Sequence, residues 1–188
     1  MLIDGGVDSL ARGDEHEMGT IIEDSISLAA LNELDDLAVR IIACIGLGAE
    51  QSITYAHIFE NIATLTAQAG FLGACALTRS MAAYQAYESA VAWVHAQPYQ
   101  DPSVINASVV SAVQGHFGDY HLTEKTRGSR LWISPLMALY WFFDLLTVAQ
   151  HNLLLAALLT TTTPGEAVQA TFALRRRVRP RMATRVPL

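Results

Sequence analysis

The chain opens on an apolar run that stops at paired glycines and at once turns acidic: Leu2-Ile-Asp-Gly-Gly-Val-Asp-Ser-Leu-Ala-Arg-Gly-Asp-Glu15. Such a run reads as a short buried strand ending in a polar loop. In open α/β sheets the carboxyl ends of strands are where ligands are held. The stretch therefore predicts both an architecture and a place for a site. A core strand at the very start also predicts a preceding βαβ portion that is absent from this chain or supplied by a partner.

The pattern that follows alternates. Strands are expected over Leu2–Gly6, Val39–Ile45, Gly70–Leu77 and Arg130–Ser134. Between them, helical spacing of apolar residues predicts a helix from Glu23 or Asp24 through Leu34. Further helices are expected from Ser52 to Gln68, from Ser80 to Ala96 and from Ser103 to Gln114, with Ser52 and Ser103 as caps. Thr147–Leu159 and Glu166–Arg177 read as the last helices. Leu136–Asp144 is apolar all round and is buried whatever its form. Alternation of this kind implies a parallel sheet with right-handed crossovers. The expected fold is an incomplete, Rossmann-like three-layer α/β domain with a mostly parallel sheet of four strands over residues 1–160. A terminal helix and basic tail fill 161–188.

Composition narrows the class. At 188 residues the chain suits one domain with a real core, and 52% of its residues are apolar while 16% are charged. That apolar share fits a parallel sheet buried on both faces. The most apolar window, Leu131 to Ala149, is interrupted by Ser134, Pro135 and Asp144, so no membrane span is expected. No basic, apolar signal follows Met1, and the expected location is the cytoplasm. Net charge is −6, and six of the eleven arginines lie between Arg175 and Arg185. Arginine over a single lysine, with abundant alanine, suits a GC-rich bacterial genome. The basic tail reads as a solvated terminus; it lacks interleaved aromatic residues, so no nucleic-acid partner is expected. Cys44 and Cys75 read as buried thiols in a reducing compartment.

Three constellations carry chemistry. In the first, Asp4, Gly5, Gly6 and Asp8 stand at a strand end, where glycine lets a ligand approach the backbone closely. Asp8, Asp14 and Glu15 add hard oxygen donors that suit a divalent cation or sugar hydroxyls, and Arg12 suits a phosphate. Asp8 and Asp14 are the candidate metal ligands, although the spacing fits no strict metal motif. The bland alternative is a solvated acidic loop. In the second, Gly46-Leu-Gly48 precedes a helix and can turn amides toward an anion. The dinucleotide fingerprint fails there, since Ser52 and Ile53 follow Gln51 where the third glycine would fall, and Glu50 would repel phosphate. On that helix His57, Glu60 and Asn61 lie on adjoining positions, and His57 and Glu60 share a face, which suits a packed histidine held by the glutamate as well as a group near the ligand. In the third, His116, Asp119, Tyr120 and His121 crowd a turn with two glycines, a set that suits metal ligation or proton transfer as well as a rim closed by its own hydrogen bonds. The candidate catalytic groups are Asp8, Asp14, His57 and His121. The candidate substrate contacts are Asp4, Gly5, Gly6, Arg12, Glu15, Gly46, Gly48 and Asp119. No nucleophile elbow, Walker loop or H-E-x-x-H motif occurs.

Several separated strings resemble one family. They are the opening Asp4-Gly-Gly-Val-Asp-Ser-Leu-Ala-Arg-Gly-Asp-Glu15, the helix start Glu23-Asp24, Gly70-Phe-Leu-Gly73, Phe117-Gly-Asp-Tyr-His121 and Pro135-Leu-Met-Ala-Leu-Tyr-Trp-Phe-Phe-Asp144. In the same order they are similar to the uncharacterised domain-of-unknown-function family 1152, along nearly all of the chain up to Leu159. The resemblance implies a Rossmann-type α/β protein, usually longer, with a glycine- and aspartate-rich loop that is absent here. It implies no substrate, because the family has no assigned activity.

The expected function is an enzyme acting on a phosphorylated small molecule or nucleotide through the acidic strand-end loop. The alternatives are a nucleotide-binding sensor without turnover, and a truncated product without independent activity. The cofactor is open, with a divalent cation as candidate. A small-molecule ligand is the expected partner, and a homo-oligomer is compatible with the chain.

Overall fold

A computed structural model describes residues 2–16, 21–49 and 53–182. In chain order the elements are β1 (Leu2–Gly5), a 3-10 turn Val7–Leu10, α1 (Ile21–Asn32), β2 (Ile41–Cys44), α2 (Tyr55–Ala67) and β3 (Phe71–Ala76). Then follow α3 (Ala82–His95), α4 (Val104–Val113), a 3-10 turn Pro135–Ala138, β4 (Leu139–Asp144), α5 (Leu145–His151), α6 (Leu155–Leu158) and α7 (Pro164–Arg177). The chain divides into two compact units. The first comprises Met1–Cys44, Ser52–Gly73 and Trp141–Leu188, and the second Ile45–Gln51 and Ala74–Tyr140.

The strands lie in the order β1-β2-β4-β3. β1 and β2 pair in parallel, from Leu2 opposite Ile41 to Gly5 opposite Cys44. β2 and β4 pair antiparallel, from Ile41 opposite Asp144 to Cys44 opposite Trp141. β3 meets β4 in the antiparallel sense too. The Asp144 N–H donates to the Gly70 carbonyl and the Leu77 N–H to the Ala138 carbonyl, at 2.8 Å each. This corrects the expected mostly parallel, Rossmann-like sheet: antiparallel pairing dominates. The physical reason lies in the last apolar run. Pro135 starts a tight turn, and the strand forms after it at Leu139–Asp144, entering between β2 and β3 with reversed direction. The expected strand over Arg130–Ser134 reduces to one isolated bridge, Ile133 to Gly118. An all-apolar run carries no mark of parallel or antiparallel pairing, since either kind can be buried on both faces.

In the first unit Ile42, Ala43, Cys44 and Phe143 are buried at the sheet centre. Phe71 packs on Phe143 with ring centroids 5.3 Å apart. A second cluster, Leu154, Leu158 and Ala167, takes in Ile22 and Leu174 and so fastens α7 to α1 and α6. Full burial of a leucine, isoleucine or phenylalanine side chain contributes roughly 1.5–3 kcal/mol. The helices start where short polar side chains satisfy free N–H groups. Thr54 Oγ1 accepts from the His57 N–H and caps α2; the expected cap Ser52 lies outside the described residues. Thr163 and Glu166 form a reciprocal capping box at the start of α7.

In the second unit Ala49, Leu131, Ile133 and Met137 form the core, with Ile105 and Tyr120 against it. Ser103 caps α4 as expected, accepting from the Asn106 N–H. Buried Tyr84 donates to Glu88, which also accepts from Gln114 at the end of α4. Burial and the Glu88 hydrogen bond push the Tyr84 hydroxyl up to about 12. Neither cysteine is in a disulfide; Cys44 is buried but Cys75 is exposed. The buried reading is thus corrected for Cys75, because β3 is the last strand of the sheet and Ala74 to Ala76 are open to solvent. Among the described residues no helix is long and apolar enough to cross a membrane.

Candidate functional site

The polar turn after β1 is built inward. Beyond Gly5 the chain makes one 3-10 turn, Val7–Leu10, all four of whose residues are buried. Asp8 is among them, 1% exposed. Ser9 Oγ donates to the Gly6 carbonyl at 2.7 Å and lies 2.9 Å from Cys44 Sγ. The chain then reverses through Gly13, whose φ of +103° suits glycine and whose missing Cβ would meet Leu174 at 3.2 Å. Of Asp4 and Gly5 the backbone lies in β1; the Asp4 side chain is outside the described residues.

Glu15 is the centre of the turn. It is 0% exposed. One carboxylate oxygen accepts from the Arg12 N–H at 2.8 Å, Asn61 Nδ2 at 2.9 Å and Arg181 Nη2 at 2.8 Å; the other accepts from the Gly13 N–H at 2.8 Å. Burial pushes the Glu15 carboxyl up, but hydrogen bonds from Asn61, Arg12 and Gly13 outweigh it and hold the group below the usual carboxylate range. Arg181 reaches the same place from beyond α7. Its Nε binds Asp14 at 2.8 Å, its Nη1 binds Glu60 at 2.7 Å, and its Nη2 also donates to Asn61 Oδ1 at 3.0 Å. Burial lowers the guanidinium's affinity for its proton, and Asp14, Glu15 and Glu60 more than restore it. Arg175 donates to the carbonyls of Glu15 and His16. Arg12 faces outward, its side chain 40% exposed, and meets Asp14 at 3.5 Å.

Two histidines approach this cluster. His57 is buried in α2, and its Nε2 donates to the Met182 carbonyl at 3.1 Å. His57 and Glu60 do share a helix face as expected, but both reach toward the segment after α7. His151 ends α5 next to the Arg12 backbone, whose carbonyl accepts from the Leu153 N–H. Among the described residues its buried Nε2 has no hydrogen-bond partner. Burial, then Arg12 and Arg181, lower its pKa, against the opposing pull of Glu15 and Asp14. The imidazole is therefore neutral near pH 7.

The other predicted residues belong to the second unit. Gly46 (φ +79°) and Gly48 (φ +94°) form a tight turn closed by the Ala49 N–H on the Gly46 carbonyl. A Cβ at Gly46 would meet Ile105 at 2.7 Å. Asp119 accepts from His121 Nε2 at 2.8 Å, and His121 Nδ1 contacts Thr126 Oγ1 at 3.1 Å. His116 stacks on Tyr120 at 3.6 Å. Both nitrogens of His121 are thus engaged within the loop.

Asp14 and Glu15 meet a guanidinium fork, and the described residues contain no group of three or more His, Cys, Asp or Glu side chains able to hold a metal ion. The residues to which sequence reasoning gives no part at the turn are Arg181, Asn61, Glu60 as an arginine partner, and His151. Their separation from the turn, 46 to 167 positions, left no local signal. The basic tail, expected to be solvated, is anchored through Arg175 and Arg181.

The family described as "Protein of unknown function (DUF1152)" matches residues 1–176. The chain belongs to the DUF1152 family. No curated protein and no solved structure matches it. In this DUF1152 chain the glycine- and acid-rich opening that carries the resemblance is the same stretch that builds the buried Glu15 cluster.

Proposed function

We propose that the first unit binds a small molecule bearing a phosphate, such as a nucleotide or phosphorylated metabolite, at the polar turn, with Arg12 as the phosphate contact. The observation that carries this reading is charge balance. Arg181 pairs with Asp14, Glu15 and Glu60, Arg12 pairs with Asp14, and Arg175 donates to the Glu15 and His16 carbonyls. Three carboxylates alone would repel an anion. Paired with Arg181, they leave Arg12 with 40% of its side chain open to solvent, an exposure that suits contact with phosphate oxygens. Asp14 and Glu15 then support the site and do not touch the ligand. The thiols Cys44 and Cys75, neither in a disulfide, suit a reducing, cytoplasmic setting.

The test is calorimetric titration of the intact chain with pyrophosphate, AMP and ATP. Arg12→Ala removes a charge-assisted contact of about 1.5–3 kcal/mol and is expected to weaken binding roughly 10- to 100-fold. Absence of binding at millimolar ligand, or equal affinity in the variant, rejects the reading. A second reading, turnover of the bound molecule, is favoured by His151. A neutral imidazole with a buried, unpartnered nitrogen is suited to accept a proton. On that reading His151→Gln retains binding and loses turnover. A complex whose ligand survives long incubation unaltered favours a sensor instead.

A further inference from the structure

We propose that residues 178–182 form an electrostatic strap that opens and closes over the polar turn and sets its order. The strap begins where α7 ends: Val178 caps the helix in an extended conformation, and Pro180 prevents its continuation. Arg181 makes one parallel bridge to Glu15, its N–H donating to the Asp14 carbonyl at 2.6 Å. Its guanidinium grips Asp14, Glu15, Glu60 and Asn61, and the Met182 carbonyl takes the His57 proton. None of residues 178–182 is buried, and Met182 is 69% exposed. Val178 and Pro180 are partly covered, and among the described residues the contacts of Arg181 and Met182 with the turn are charge and hydrogen bonds. Salt screens the most exposed of these pairs, Arg181 with Glu60, whose side chain is 57% exposed, and screens the pairs with Asp14 and Glu15 much less. Arg175, in the last turn of α7, holds the Glu15 and His16 carbonyls independently, so α7 stays docked while the strap moves. Opening removes the counterion of the wholly buried Glu15. The carboxylate must then hydrate, which loosens residues 6–16 and with them the presentation of Arg12.

Limited trypsin digestion of the intact chain tests this without any ligand, so it stands or falls separately from phosphate binding. Cleavage after Arg181 is compared with cleavage after Arg127, whose side chain is 68% exposed. Between about 0.1 M and about 1 M NaCl, where the Debye length shrinks from ~10 to ~3 Å, the ratio is expected to rise about two- to threefold as the exposed Glu60 pair is screened. Hydrogen exchange at residues 6–16 is expected to accelerate over the same range. Arg181→Lys keeps the charge and the cleavage site but loses the fork, and is expected to be cut faster already at low salt. A ratio that does not change with salt overturns the proposal, as does strap opening with no change in exchange at 6–16.

Discussion

Glu15 in the first unit is wholly buried and accepts four hydrogen bonds, whereas Asp119 in the second unit keeps 77% of its side chain in water while it accepts from His121. Both belong to clusters that, as sequence, are rich in ionisable side chains. Burial separates them. A carboxylate without water needs every lone pair matched and a cation nearby, so the chain around Glu15 supplies two backbone N–H groups, an amide and an arginine. Asp119 needs none of this, because water solvates it at no cost to the fold. Charge density along a sequence therefore locates a cluster, and only burial says whether the fold depends on it.

The widest gap between the units is expected at their thiols. Cys75 is exposed on β3, while Cys44 is buried at the sheet centre beside Ser9. A thiol-specific reagent is expected to modify Cys75 at the rate of a free thiol and Cys44 on the order of a thousandfold more slowly, limited by opening of the first unit. Mass-spectrometric mapping of the labelled peptides reads both rates. Equal rates would mean that the sheet centre is open to solvent, and the contrast would fail.

Stability separates the two carboxylates next. Glu15→Ala strands Arg181, Asn61 and two backbone donors, and is expected to cost about 3–5 kcal/mol in urea unfolding. Acid should reach the same group. Glu15 titrates below its ordinary 4.5, so the stability it contributes is present above that value and is lost as pH falls through the lower folded value. His151 acts at milder pH. Its folded pKa lies below 6.5, so the unfolded chain binds the proton more readily and stability declines as pH drops under 6.5. Replacing His151 by Gln is expected to flatten the unfolding midpoint between pH 6.5 and 5 while leaving the steeper loss below 4.5. A profile unchanged by that variant would place His151 outside the electrostatics of the cluster.

The same contrast explains what could be read from the residues alone. Elements with local signals were legible: Ser103 starts α4 through its own hydroxyl, and Ile41–Cys44 falls inside the expected strand. The opening turn was legible as a polar cluster at a strand end. Two things were not. β4 hides in Leu136–Asp144, where every position is apolar except the last and no alternation marks strand or direction. Arg181 lies 166 residues from Glu15, among neighbouring arginines that bear the same charge, and nothing in that run distinguishes the one that docks. Sequence patterning records an element's own period and caps. It does not record which distant counterion a buried carboxylate recruits.

The smallest effect is expected in the His121 loop, and it probes the contrast from its other side. Asp119 and His121 lie two residues apart, so their bond closes a local turn and joins no distant elements. Gly118, at φ +86°, already sets the path of that turn, and its backbone bridge to Ile133 holds it to the core of the second unit. Asp119→Asn keeps the shape and an acceptor for the imidazole while removing the charge. The expected loss is within about 1 kcal/mol, and it should shrink further in high salt, as for other solvated pairs. Urea unfolding at low and high ionic strength measures both. A loss as large as that of Glu15→Ala would mean that His121, held between Asp119 and Thr126, ties the loop to the unit's core, and exposure would no longer separate the two clusters.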